Sequence, residues 1–278
     1  MKARIITGFL IGVVYVSLYF TAYTIVFPIA WSVLCLIGLF EMFRCIGVVN
    51  NSILTTPFYL LGFVLPYIIY YCEELHNWEL GFLIALFFVM FLCFLGSILF
   101  RNHIELTQIT TAYTTGIYII IGFALMQAII QFTGGRYLWA FGILGTIATD
   151  VFALFTGMLF GKHKLAPEIS PKKTVEGSIG GSIFGVAAVM IFAYIIAAID
   201  QTIHVRTLRL VVCSILIVIA AQVGDLLMSL IKRHYGIKDY GKILPGHGGI
   251  LDRCDSHLAV ALLLFGYNQL WPIFELVP

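Results

Sequence analysis

Charge is scarce in this sequence. Of 278 residues only 11% are Asp, Glu, Lys or Arg, while 61% are hydrophobic; a soluble globular chain carries roughly 25% charged residues. That shortage excludes an ordinary soluble domain. Paired cysteine spacings are missing too. The six cysteines, at positions 35, 45, 72, 93, 213 and 254, are scattered and lie mostly inside apolar runs, which excludes a zinc site or disulfide framework built on spaced pairs. The first apolar run outlasts a signal-peptide core and lacks a small-residue cleavage site, so no cleavable leader is expected. Neither a low-complexity tract nor a clear internal repeat breaks the pattern, and no nucleic-acid partner is expected.

What recurs along the whole length is an apolar run of about twenty residues, the span of a bilayer-crossing helix. Nine candidates stand out: 5–27, 28–45, 54–72, 80–100, 113–131, 137–161, 178–199, 208–231 and 257–276. Glu41 and Arg44 sit near the end of the second, and Pro272 interrupts the last. The expected fold class is all-α, a polytopic transmembrane helical bundle of about nine spans. Polar features gather in the C-terminal half. The chain therefore divides into N-terminal transmembrane helices, 1–135, and a chemistry-bearing region, 136–278. With the N-terminus inside, the inner loops collect Lys2, Arg4, Arg44, Arg101, Lys162, Lys164, Lys172, Lys173, Lys232, Arg233, Lys238, Lys242 and Arg253; the outer ones receive Arg136, Arg206 and Arg209. Thirteen against three satisfies the positive-inside rule. The expectation is a multi-pass protein of the cell membrane, with its N-terminus and segments 162–177 and 232–256 in the cytoplasm.

Several carboxylates lie where a membrane makes them expensive. Asp150 is about eleven residues, or about 16 Å, inside its span. Asp225 lies some seven residues inside the cytoplasmic end of the eighth, and Asp252 and Asp255 flank Arg253 where the ninth begins. Intramembrane ionisable groups normally face a bundle interior or a wet cavity; the alternative for Asp150 and Asp225 is a polar contact between helices. From Asp225, Ser229, Lys232 and Arg233 follow at helical spacing on one face. Thr146, Ala153, Gly157 and Gly161 form a small-residue stripe around Asp150 that lets another helix, or a ligand, approach the backbone, and Gly177, Gly181 and Gly185 form another, read as close helix packing.

The two charged segments read as a polyphosphate site. ISPKKTVEG, 169–177, offers a Ser170-Pro171 turn, Lys172 and Lys173, and a helix start whose N–H groups suit an anion. KILPGHGGILDRCDS, 242–256, adds cations, a flexible turn and carboxylates. Carboxylates beside a phosphate-binding surface fit a divalent cation between them, and Mg²⁺ takes one or two carboxylates plus substrate phosphates and water. For Lys162 and Lys164 a plain topology signal or anionic-lipid contact serves as well.

The run Ser229-Leu-Ile-Lys-Arg, then Lys238-Asp239, then Leu244-Pro-Gly-His-Gly-Gly-Ile-Leu-Asp-Arg-Cys-Asp255 closely resembles the signature of the CDP-diacylglycerol synthase (phosphatidate cytidylyltransferase) family. Asp150 to Gly161, Ser170 to Gly177 and Gln222-Val-Gly-Asp225 look like that family's flanking regions; the first 140 residues match only in character. Cys254 and Leu154 depart from the family's usual aliphatic and aromatic residues.

The resemblance implies CTP and phosphatidic acid as substrates, CDP-diacylglycerol and pyrophosphate as products, Mg²⁺ with a second cation left open, and a homodimer in the lipid bilayer. It implies Asp225 and Asp252 as metal ligands, with Asp255 and Asp150 as further ones, and Lys172, Lys173, Lys232 and Arg233 as catalytic cations. Ser170, Thr174, Glu176, Ser229, Lys238, Asp239, Gly246, His247, Gly248, Gly249 and Arg253 are the substrate-binding set. Two other functions meet similar demands: a CTP-dependent polyprenol or lipid kinase, and an anionic-solute transporter. The length of the 229–255 match argues against the first. A transporter should carry discontinuous helices in two halves, whereas this chain gathers its polar residues in one.

Overall fold

Runs of Leu, Ile, Phe and Val leave the backbone to satisfy its own hydrogen bonds, and a helix does so within one segment. The computed structural model describes residues 2–71, 78–99 and 105–276; Cys72 and Arg101 lie outside the described residues. Among these the chain forms nine α-helices: α1 Lys2–Phe20, α2 Val26–Ile46, α3 Ser52–Tyr71, α4 Trp78–Leu99, α5 Leu106–Ala128, α6 Gly135–Phe160, α7 Val175–Ile199, α8 Thr207–His234 and α9 Leu251–Leu270. Six of them (α2, α3, α5, α6, α7 and α8) are long and apolar enough to cross a membrane.

The expectation of an all-α chain needs one addition. Four short strands, β1 Lys164–Ala166, β2 Ser170–Thr174, β3 Ile203–Val205 and β4 Phe274–Leu276, form two antiparallel pairs, β1 with β2 and β3 with β4. Ser170-Pro171, expected as a turn, instead opens β2. The extended backbone continues through Thr174, whose hydroxyl accepts the N–H of Gly177 at 3.1 Å and caps α7. The last helix also differs from the 257–276 expectation. It starts at Leu251 and stops at Leu270, and beyond Pro272, which has no N–H to donate, the chain returns as a strand. That strand is clasped at its end by Arg206 Nη2 to Glu275 Oε2 at 2.6 Å, and the hydrogen bond holds the Glu275 carboxyl below its ordinary range.

Two compact units share the chain. The first comprises Met1–Ala128 and Tyr235–Arg253, the second Ile129–His234 and Cys254–Pro278. In the first, Phe27, Trp31, Phe43, Phe58 and Phe123 are buried, and Gly62 and Gly116 let Cys35 and Phe58 lie against the backbone of α3 and α5. In the second, the glycine stripe expected to mediate close packing does so. A Cβ at Gly181 would stand 2.6 Å from the Thr149 carbonyl oxygen, and one at Gly157 2.9 Å from Thr174 Oγ1. Small residues therefore bring α6 and α7 into backbone contact.

Candidate active site

Close approach of α6 and α7 leaves a cavity of about 420 Å³ in the second unit, beside the β1–β2 hairpin and α8. Asp150 from α6, Lys172, Lys173 and Thr174 from β2, and Gln222 and Asp225 from α8 line it together with Leu154, Met158 and Leu165. Lys173 forms an ion pair with Asp225 Oδ2, and Ser229, one helical turn on, donates to Asp225 Oδ1 at 3.3 Å. Thus three residues chosen from the sequence, Lys173, Asp225 and Ser229, make one connected group. Leu154 and Met158 are mostly exposed on the outer face of α6, so one wall of the cavity is apolar and the other charged.

Asp255 approaches the same region from α9. Gly224 has no side chain, and a Cβ there would meet the Asp255 carbonyl oxygen at 2.9 Å. The buried Asp255 carboxyl lies within electrostatic range of Asp225, Lys232 and Asp150. Lys232 is buried as well, while Arg233 donates through Nε to the Ile169 carbonyl at 3.1 Å and ties the end of α8 to the hairpin. Glu176 stands apart from this group. Its carboxylate accepts the N–H groups of Lys162 and His163 and pairs with His163 Nδ1 at 2.6 Å, which fastens the residues leading into β1 to α7.

The glycine-rich segment belongs to the first unit. Lys238, Asp239, Gly246, His247, Gly248 and Arg253 line a second pocket of about 420 Å³. Gly246 and Gly248 adopt φ of 79° and 87°, a left-handed backbone that glycine takes without a Cβ clash. Asp252 is buried, and its Oδ2 accepts from Tyr240 N at 2.8 Å and Gly249 N at 2.9 Å. Arg253 Nε donates to the His247 carbonyl at 3.0 Å. Asp252, Arg253 and Gly249 therefore shape this turn from within.

Two residues here were not read from the sequence as part of a site. Glu41 of α2, buried, accepts Ile250 N at 3.1 Å and Leu251 N at 2.9 Å, and so caps α9. Arg44, one turn on, donates to the Tyr240 carbonyl. A carboxylate within an apolar run was the available signal: the criterion that singles out Asp150 and Asp225 applies equally to Glu41. Gln222 was visible only as part of a motif; its amide bonds Ser182 Oγ at 2.8 Å and joins α8 to α7.

Among the described residues, no three of His, Cys, Asp and Glu converge as a set that could hold a metal ion. A phosphate-bridging Mg²⁺ asks for less, one or two carboxylates with substrate oxygens completing the shell, and the neighbouring Asp225, Asp255 and Asp150 offer that chemistry.

Residues 2–271 match the model of a family described as the cytidylyltransferase family. The chain is 33% identical over 271 residues to a phosphatidate cytidylyltransferase of Bacillus subtilis, covering 95% of this chain and 96% of the relative. It is 38% identical over 188 residues to one of Staphylococcus haemolyticus, 68% of each chain. A third, of Brucella abortus, is 41% identical over 124 residues, 45% of this chain and 44% of the relative. The charged hairpin, the carboxylates Asp150, Asp225, Asp252 and Asp255 and the glycine-rich turn all fall inside the matched region, and the chain belongs to the cytidylyltransferase family.

Proposed function

We propose that this chain is a phosphatidate cytidylyltransferase, which transfers the CMP moiety of CTP to phosphatidic acid and yields CDP-diacylglycerol and pyrophosphate. The observation that carries the reading is the cavity with Lys172, Lys173, Asp150 and Asp225 on one side and exposed apolar residues of α6 on the other. Such a site suits a phosphate attached to acyl chains, and the full-length likeness to named relatives supports the reaction.

In this reaction an anionic oxygen of phosphatidate attacks the α-phosphorus of CTP. A P–O bond forms there as the bond from the α-phosphorus to the bridging oxygen of pyrophosphate breaks. The nucleophile is already deprotonated, so no general base is required. The obstacle is repulsion between two phosphates, and fixed cations with in-line positioning relieve it. Lys172 and Lys173 bring ammonium groups to the cavity. Asp225 fixes Lys173, and Ser229 fixes the Asp225 carboxylate in turn. Lys238 and Arg253 lend positive charge to the glycine-turn pocket, where we place the nucleotide phosphates. Mg²⁺ would be held by one or two of Asp225, Asp255 and Asp150 together with substrate phosphates and water, and would neutralise phosphate charge; Asp252, a ligand by the family resemblance, and a second cation belong to the same proposal.

Nine spans, a cytoplasmic N-terminus and cytoplasmic loops at 162–177 and 232–256 complete the reading, supported by the thirteen-to-three cation bias. The family resemblance adds a homodimer, which light scattering of the detergent-solubilised protein tests. The deciding assay gives purified protein phosphatidate and CTP labelled either in the cytidine or in the γ-phosphate. Cytidine label is expected in chloroform-soluble lipid and γ-phosphate label in released pyrophosphate, with no lipid label when dolichol or another polyprenol is the acceptor. Transfer of γ-phosphate label, and not cytidine label, to a polyprenol would assign the lipid-kinase reaction instead.

A further inference from the structure

We propose that Glu41 and Arg44 of α2 are positioning residues for the reaction: they set the shape of the 238–253 turn and hence its grip on nucleotide phosphates. The inference rests on the proposed function and gives the N-terminal helices a part in it. Five backbone groups of the turn are bound from two helices, α2 and α9. Glu41 takes the N–H groups of Ile250 and Leu251, Arg44 takes the Tyr240 carbonyl, and Asp252 takes the N–H groups of Tyr240 and Gly249. From α1, Thr7 Oγ1 donates to the Pro245 carbonyl at 3.1 Å.

The fit around the Glu41 carboxylate is specific. A Cβ on Gly241 or on Gly249 would overlap its Oε1 atom, so both positions are open only to glycine while Glu41 stays in place. Two glycines of the signature stretch thereby acquire a use other than phosphate approach: they form the socket for a carboxylate about two hundred residues earlier in the chain. A buried carboxylate is costly unless hydrogen-bonded, and the two N–H groups opening α9, with that helix's dipole, provide the partners. The consequence is a turn whose left-handed glycines 246 and 248 are held from both ends. Catalysis is sensitive to such control, since displacement of a binding group by about 1 Å costs on the order of a hundredfold in rate.

The test uses the full chain in detergent. Glu41→Gln keeps the side chain's size but turns an amide NH₂ toward one of two backbone donors. We expect faster deuterium exchange of the amides at 249–251, a KM for CTP raised about tenfold or more, and a KM for phosphatidate within twofold of wild type, with unchanged thermal stability elsewhere in the chain. Arg44→Gln, at an exposed position, serves where Glu41→Gln does not accumulate, and is expected to move the same amides and the same KM less far. Gly241→Ala should reproduce the Glu41→Gln phenotype, and the double variant should be no worse than either single one. Wild-type exchange at 249–251 together with a wild-type KM for CTP in Glu41→Gln, or in Arg44→Gln where only that variant folds, would overturn the proposal. An equal rise in both KM values would also overturn it, by making the effect one of general stability. A wild-type protein without cytidylyltransferase activity would refute the underlying reading instead, while the exchange measurement would still report whether Glu41 holds the turn.

Discussion

Asp252 has two possible duties that one substitution separates. Its Oδ2 accepts two backbone N–H groups, and the oxygen of an asparagine accepts them equally well. A hard divalent cation, by contrast, favours a carboxylate. Asp252→Asn is therefore expected to leave the protein folded and abundant in the membrane while lipid labelling from CTP falls about a hundredfold or more. Near-normal turnover would confine Asp252 to the turn. Asp225→Asn should be equally severe, because it removes the partner of Lys173 as well as a ligand charge. The two lysines should differ: Lys173 is held at Asp225, whereas Lys172 is exposed at the cavity rim. Lys173→Ala is expected to lose about tenfold to a thousandfold in kcat/KM and Lys172→Ala less, in steady-state kinetics with CTP varied. Equal losses would contradict the unequal roles.

At the scale of elements, the contact between α6 and α7 depends on side chains that are absent. Gly181→Ala would place a methyl group 2.6 Å from the Thr149 carbonyl oxygen and 2.8 Å from Ala153 Cβ. A carbonyl in a helix cannot rotate away, so the helices must separate. The cost should be about 1–3 kcal/mol, as for other overpacked interfaces, visible as a lower thermal transition in detergent and as lost activity. Gly12→Ala in α1, with no atom within 4 Å of the new methyl, is the control and should be neutral. That packing was legible in the sequence, because glycines spaced by four in an apolar run have few other uses. All nine helices were legible for a similar reason: apolar length is a local property. The β1–β2 hairpin was not, since its three- and five-residue strands are charged and carry no alternation. Nor was the true start of α9. Asp252, Arg253 and Asp255 read as the entry to a span starting at 257, yet they lie within the helix because its cap comes from Glu41, 210 residues away in sequence. Of the site, Lys173, Asp225 and Ser229 were readable as a helical face and a neighbouring charged segment, whereas the internal hydrogen bonds of Asp252 depend on a turn that no residue pattern specifies.

For the molecule as a whole, the cation bias makes a directional claim. Helix α7 runs 25 residues from the charged hairpin to Asp200, about 37 Å at helical rise, enough to carry the chain from one face of a bilayer to the other. Positions 164 and 201 are near its two ends, and both are exposed. Position 242 is exposed on the glycine-rich turn; Tyr240, its near neighbour, is 2% exposed and would label poorly whatever the orientation. Single cysteines at 164, 201 and 242 on a cysteine-free background thus distinguish the two faces. In intact cells a membrane-impermeant maleimide should modify position 201 and spare 164 and 242, and permeabilisation should expose the latter two. Labelling of 164 and 242 from outside would invert the topology and put the basic loops on the side away from cellular CTP. Opposite behaviour at 164 and 242 would break the reading at a different place, by requiring an odd number of crossings between the two loops where α7 and α8 supply two.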